Sequence, residues 1–200
     1  MGCDIHMYVE IKKGKDWYNV DYFHRGYNNR YVYYRVPIYD GRNYALFATL
    51  ANVRNYSNTE YIDEPRGLPE DVTEYVNDEY QDWGWDAHSA SHLTLQELLD
   101  FHNKGVKLKR SGMISSEAQK AFDEDGILPD MWCQSTNQVG WEFREWEEEN
   151  KVLVSLINKL KERADELRFI YDFSWDGNEE ARKRAYEASK NIRIVFWFDN

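Results

Sequence analysis

The sequence predicts an α+β fold: a mixed or antiparallel sheet containing both terminal strands, helices on one face, and a long C-terminal helical hairpin. Three patterns carry that expectation. Residues 3–12 alternate apolar and polar, and so do residues 192–199. Between them, apolar residues recur at spacings of three and four from Phe143 to Leu167. Alternation with period two belongs to a strand with one buried face; a period of roughly 3.6 belongs to a helix.

In the first strand, Ile5, Met7, Val9 and Ile11 point one way, and Asp4, His6, Tyr8 and Glu10 the other. Lys13-Gly14-Lys15 reads as a turn, residues 16–23 as a returning strand, and residues 30–38, rich in Tyr and Val, as a further one. Asp40 is placed to cap a helix over residues 42–52. Residues 54–67 read as a polar loop. Leu68-Pro69-Glu70-Asp71 then opens a short helix with Val72, Tyr75, Val76 and Tyr80 on its apolar face.

The clearest start signal is Thr94 with Glu97, a capping box flanked by the staple pair Leu93 and Leu98. Ser116 and Gln119 suggest a second box for a helix ending near Asp123. From Phe143, the residues Trp146, Asn150, Leu153, Ile157, Leu160 and Ala164 continue a heptad whose helix would be about 40 Å long. Asp176-Gly177-Asn178 breaks it, and residues 179–189 carry Ala181, Ala185 and Ala188 as a small-residue stripe for close antiparallel packing. The expected organisation is one domain, 1–200, with 142–190 as the hairpin. The heptad also permits a homo-oligomer through the long helix, with polar Asn150 fixing register.

Composition narrows the function. The formal charge of −11 argues against sequence-independent binding of duplex nucleic acid, which needs a surplus of Lys and Arg. It leaves room for a small anion in a local basic pocket, or for a basic protein partner drawn to the acidic surface. No apolar run approaches the roughly 20 residues of a membrane span, so no membrane partner is expected. Met1-Gly2-Cys3-Asp4-Ile5-His6 lacks the features of a secretion signal, and His6 stands where a myristoylation signal wants Ser or Thr. The only cysteines, Cys3 and Cys133, read as free thiols in a cytoplasmic protein. Aromatic content is 16%, with Trp 8 and Tyr 15, residue types favoured at binding surfaces and able to stack on bases.

Two regions concentrate chemistry. One is the polar face of the first strand, with Asp4, His6 and Glu10, which Asp199 joins if the terminal strands are neighbours. The other is the stretch from Trp83 to His92, read as a loop, with two indoles, two histidines, Asp86 and hydroxyls. A metal site from Asp4, His6, His88 and Asp199, with His92 as an alternative, would suit zinc, manganese or iron, although the spacing matches no established motif. The plainer reading makes His6 a hydrogen-bonded sheet residue and has His88 cap a turn. A nucleotide-like ligand would instead use Trp83, Trp85 or Trp197 for stacking, Arg66 and Arg54 for phosphate, and His6 and His88 as orienting donors. That reading needs no cofactor. Walker, dinucleotide-fold and serine-elbow motifs are absent from the sequence.

Met1-Gly2-Cys3-Asp4-Ile5-His6, Glu64-Pro65-Arg66-Gly67-Leu68-Pro69, Asp86-Ala87-His88-Ser89-Ala90-Ser91 and Ile194-Val195-Phe196-Trp197-Phe198-Asp199-Asn200 together resemble a family of small proteins encoded by bacteriophages and prophages. The resemblance implies a phage origin and action in the cytoplasm of the infected host; it brings no catalytic residues with it. By analogy, a small acidic phage protein of this kind is expected to be an accessory or counter-defence factor. The leading expectation is sequestration of a nucleotide-derived immune signal. The alternatives are a metal-dependent hydrolase of a phosphorylated or nucleotide substrate, and an acidic inhibitor that binds a host protein.

Overall fold

The computed structural model describes residues 2–25, 33–166 and 188–199. Its centre is an antiparallel sheet of order β2-β1-β8-β5, built from β1 (Ile5–Lys13), β2 (Asp16–Asn19), β5 (His88–Thr94) and β8 (Ile192–Phe198). The two terminal strands pair as the alternation requires, with Met7 opposite Phe196 and Val9 opposite Ile194. Every residue of β8 is buried, because a strand between two neighbours can be covered on both faces.

One face carries Ile5, Met7, Val9, Ile194, Phe196 and Phe198. Against it pack α1 (Tyr44–Ala51), α3 (Leu95–Asn103) and α5 (Lys151–Glu166), through Leu46, Phe47 and Leu50, then Leu95 and Leu98, then Leu153, Ile157 and Leu160. Helices were expected on one face only. The other face is also covered, because Tyr8, Val195 and Trp197 make it apolar, and α2 (Glu74–Trp83) lays Val76, Tyr75 and Tyr80 on it. At its edge, the buried Arg193 donates from Nε to Glu10 at 2.7 Å and from Nη1 to Asp71 at 2.6 Å. Glu10 also accepts from the Thr73 backbone N–H and hydroxyl at 2.9 and 2.6 Å. A buried ion pair persists only with such further hydrogen bonds; here they fasten the start of α2 to the sheet.

Several element boundaries differ from the sequence reading, each for a local reason. Asn43, not Asp40, caps α1, its side-chain oxygen accepting from the Ala45 and Leu46 backbone. Residues 69–72 form a turn, and α2 starts only at Glu74. Residues 88–94 form strand β5 rather than loop, with a bulge between His88 and Ser91 and with Ser89 at φ +51. Ser115 caps α4 (Ser116–Asp125), one residue before the Ser116 of the expected box. The capping box of α3 forms as read.

The largest correction concerns the heptad. Residues Glu142–Glu148 are strand β7, paired with β6 (Leu108–Ile114), and the helix begins after Asn150. Phe143 and Trp146, three apart, fit helical spacing but fall on opposite faces of a strand, where Trp146 is buried and Phe143 exposed; pairing with β6 overrides the spacing. Asn150 is an N-cap: its Oδ1 accepts from Leu153 N at 3.1 Å, and its Nδ2 donates to Thr49 at 3.0 Å. The stripe read as a self-association seam packs on the chain's own core. The partner helix of the expected hairpin, 179–189, lies outside the described residues up to position 187. A two-stranded ribbon of β3 (Tyr22–Arg25) and β4 (Tyr33–Val36) completes the strands among the described residues. Among the described residues, no helix is long and apolar enough to cross a membrane.

Candidate functional site

The residues singled out at the sheet's end do meet there, but on two faces. His6 Nε2 lies 3.1 Å from Asp199 Oδ2, whose other oxygen accepts from the Asp4 backbone N–H at 2.9 Å. The Asp4 side chain is held by Arg42 through bonds of 2.8 and 2.5 Å, and that guanidinium keeps its carboxyl below the ordinary value. The His6 ring lies 4.0 Å from Trp83, centroid to centroid. His88 stands opposite Phe198 and so shares the other face with Cys3. Its Nε2 is 3.9 Å from the Cys3 sulfur. Burial pushes the Cys3 thiol up, partly opposed by Arg54 beside it.

Of the four-residue metal set, His6 and Asp199 lie together, Asp4 is bound to Arg42, and His88 projects from the opposite face. Among the described residues, no group of three or more His, Cys, Asp or Glu side chains is arranged to hold a metal ion.

The stacking and phosphate candidates also separate. Trp197 is fully buried, stacked on Tyr8 at 4.9 Å and 14°, so it serves the core. Trp85 is fully exposed at the turn between α2 and β5. Arg66 bridges Asp63 at 2.8 Å and Glu97 at 2.7 Å and donates to the His92 carbonyl at 3.3 Å. It is a clamp that ties residues 63–67 to α3.

A different hollow, of about 280 Å³, lies between α1, residues 54–59 and the outer edge of β6. Of the ligand-binding residues expected from the sequence only Arg54 lines it; His6, Arg66, Trp83, Trp85, His88 and Trp197 do not. Among the described residues its cations are Arg54, Lys109 and Arg110, its rings include Tyr56, Trp132 and Phe143, and no Asp or Glu lines it. In a chain with 36 acidic residues that local balance favours an anion.

Local sequence builds each wall. Residues 52–59 hold three non-glycine residues at left-handed φ: Asn52 at 57, Arg54 at 53 and Asn58 at 49. Such conformations cost on the order of 1 kcal/mol each and persist where surrounding bonds over-determine them. Here Asn55 clips the loop, accepting from Thr59 N at 2.8 Å and donating to Thr59 O at 2.9 Å. Thr59 in turn accepts from Lys109 N at 3.1 Å, and Ser57 meets Ser111 at 2.9 Å, so the loop is fixed to β6.

The Trp132 side depends on Gly112. A Cβ there would stand 2.8 Å from the Trp132 ring and 2.9 Å from the Cys133 carbonyl. Absence of that carbon lets Met113 and Cys133 exchange backbone bonds of 2.7 and 3.1 Å, which lays Trp132 over the strand. Arg110 then lies with its guanidinium carbon 5.7 Å from the Trp132 centroid, its Nε bonded to Glu148 at 2.7 Å. Its two Nη atoms and the Lys109 ammonium take no hydrogen bond among the described residues. Sequence reasoning missed Lys109, Arg110 and Trp132. The available signal was the pair Lys109-Arg110 followed by Gly112 in a short strand-like segment.

Comparison of the chain with protein-family models, with curated proteins and with solved structures finds no match.

Proposed function

We propose that this hollow binds a nucleotide-like anion and that the protein sequesters it without turnover, acting as a phage counter-defence factor in the host cytoplasm. One observation supports the reading: cations and aromatic rings converge, with no carboxylate among the described lining residues, in an otherwise acidic chain. Trp132 offers a partly exposed ring for a base. Arg110 and Lys109 offer unused donors for phosphate, and Arg suits it because its planar fork donates two parallel hydrogen bonds. Ser57, Ser111 and Asn55 add neutral polar groups for the remaining polar atoms.

Sequestration sets a demand on affinity. Capture at micromolar signal levels needs a Kd below micromolar, better than about −8 kcal/mol. A stacked base supplies ~1–3 kcal/mol, so the larger share rests on the phosphate contacts of Arg110 and Lys109. The test incubates the purified protein with extract from defence-activated cells, heats it, and identifies what is released by mass spectrometry. Intact nucleotide from the wild type, and none from Arg110→Ala, is the expected result. A cleaved product would make the protein a hydrolase, and retention of nothing nucleotide-like would refute the reading.

A further inference from the structure

The Trp132 wall of the hollow continues into Gln134. Between them, Cys133 bridges Met113 in antiparallel sense, through backbone bonds of 2.7 and 3.1 Å. In an extended segment the neighbours of a residue project to the side opposite its own, so Trp132 and Gln134 share a face. Across the bridge, Gly112 and Arg110 stand an odd number of residues from Met113 and take that same face. The lining agrees: Arg110, Gly112, Trp132 and Gln134 line the hollow, and Met113 and Cys133 do not. Trp132 is 37% exposed. Gln134 is exposed too, and its carboxamide has no hydrogen-bond partner among the described residues.

On the premise that this hollow binds a nucleotide-like anion, we infer that the base it selects is adenine and that Gln134 is the residue that reads it. With a base stacked on Trp132 and phosphate at Arg110, Gln134 is placed to meet the edge of the base, two residues along on the same face. Its carboxamide carries a donor, the Nε2 amine, beside an acceptor, Oε1. Adenine carries the complement, an exocyclic amine beside a ring nitrogen that accepts, and glutamine joins it through two hydrogen bonds. Guanine instead offers two neighbouring donors, its ring N–H and its exocyclic amine, whose match is a carboxylate. Among the described residues no Asp or Glu lines the hollow. A two-ring indole also overlaps a purine more fully than a pyrimidine. Gln134 thus sets which base is taken, while the affinity common to all nucleotides stays with Arg110 and Trp132.

Calorimetric titration into the full chain compares ADP with GDP and with purine riboside diphosphate, which differs from ADP only in lacking the exocyclic amine. ADP binds more tightly than either by about tenfold or more. Gln134→Ala, at an exposed position, reduces both preferences to less than about threefold by weakening ADP, and binding of all three nucleotides still depends on Arg110. Circular dichroism of the variant confirms that it folds. Equal affinity for ADP and either competitor, or a preference that survives Gln134→Ala, overturns the adenine assignment; ADP binding that depends on Arg110 then leaves the nucleotide reading standing. If none of the three binds, that reading falls together with the assignment.

Discussion

The Arg110 guanidinium carbon lies 5.7 Å from the centre of the Trp132 ring, and Arg110 Nε is bound to Glu148 at 2.7 Å. The ion pair fixes the side chain from one end, and Arg110 lines the hollow. A preorganised arginine loses little rotamer freedom on binding. Trp132→Ala therefore weakens nucleotide binding by ~1–3 kcal/mol, the value of one stacked base. Binding of ligand also quenches the fluorescence of Trp132, and Trp132→Phe abolishes that component of the signal.

Arg66 separates stability from binding. It holds Asp63 and Glu97 together and donates to the His92 carbonyl. Arg66→Ala lowers stability by about 1–3 kcal/mol, since it leaves partly buried partners without their cation. It leaves nucleotide affinity unchanged, because Arg66 does not line the hollow. Urea unfolding alongside titration reads both quantities on one sample.

Acid sensitivity follows from Glu97. Burial pushes its carboxyl up, but hydrogen bonds from the Thr94 backbone, Arg66 and the Thr94 hydroxyl outweigh burial and hold it below the ordinary value of 4.5. A carboxyl lowered in the folded state contributes stability that is present above its unfolded value. That stability is lost as pH falls through the folded one. Glu97→Gln is thus less stable at neutral pH, and its stability declines more shallowly than the wild type's below about pH 4.5. Denaturant unfolding at a series of pH values measures the two slopes; equal slopes would contradict the assignment.

The two tryptophans that the sequence places beside polar groups differ sharply. Trp197 is buried and stacked on Tyr8, so Trp197→Ala removes core volume and costs about 3–5 kcal/mol. Trp85 is fully exposed, so Trp85→Ala changes stability by less than about 0.5 kcal/mol and leaves binding of nucleotide intact. Thermal unfolding of the two variants gives opposite results.

These contrasts show what local pattern carries. Alternation placed both terminal strands correctly because a strand's burial repeats every two residues, and Thr94 with Glu97 marked α3 because a capping box closes within four residues. The spacing of Phe143, Trp146 and Asn150 suits a heptad, yet residues 142–148 form a strand because pairing with β6 outweighs that spacing. The deciding partner, β6, lies 28 to 40 positions upstream, from the pair Ile114 and Glu142 to the pair Leu108 and Glu148. The hollow was hidden for the same reason. Arg54, Arg110 and Trp132 are far apart in the chain and are joined by the left-handed turn at 52–59 and by the space at Gly112. Trp83, Trp85 and His88 drew attention as neighbours in sequence, yet they point to different surroundings.

Everything proposed for the hollow depends on Arg110 and its surroundings forming an anion site. Calorimetric titration of ADP into the wild type and into Arg110→Ala isolates that dependence. One site per chain is expected in the wild type, with an affinity at least tenfold lower in the variant, a loss of about 1.4 kcal/mol or more. No binding to the wild type, or equal affinity in both proteins, would contradict it.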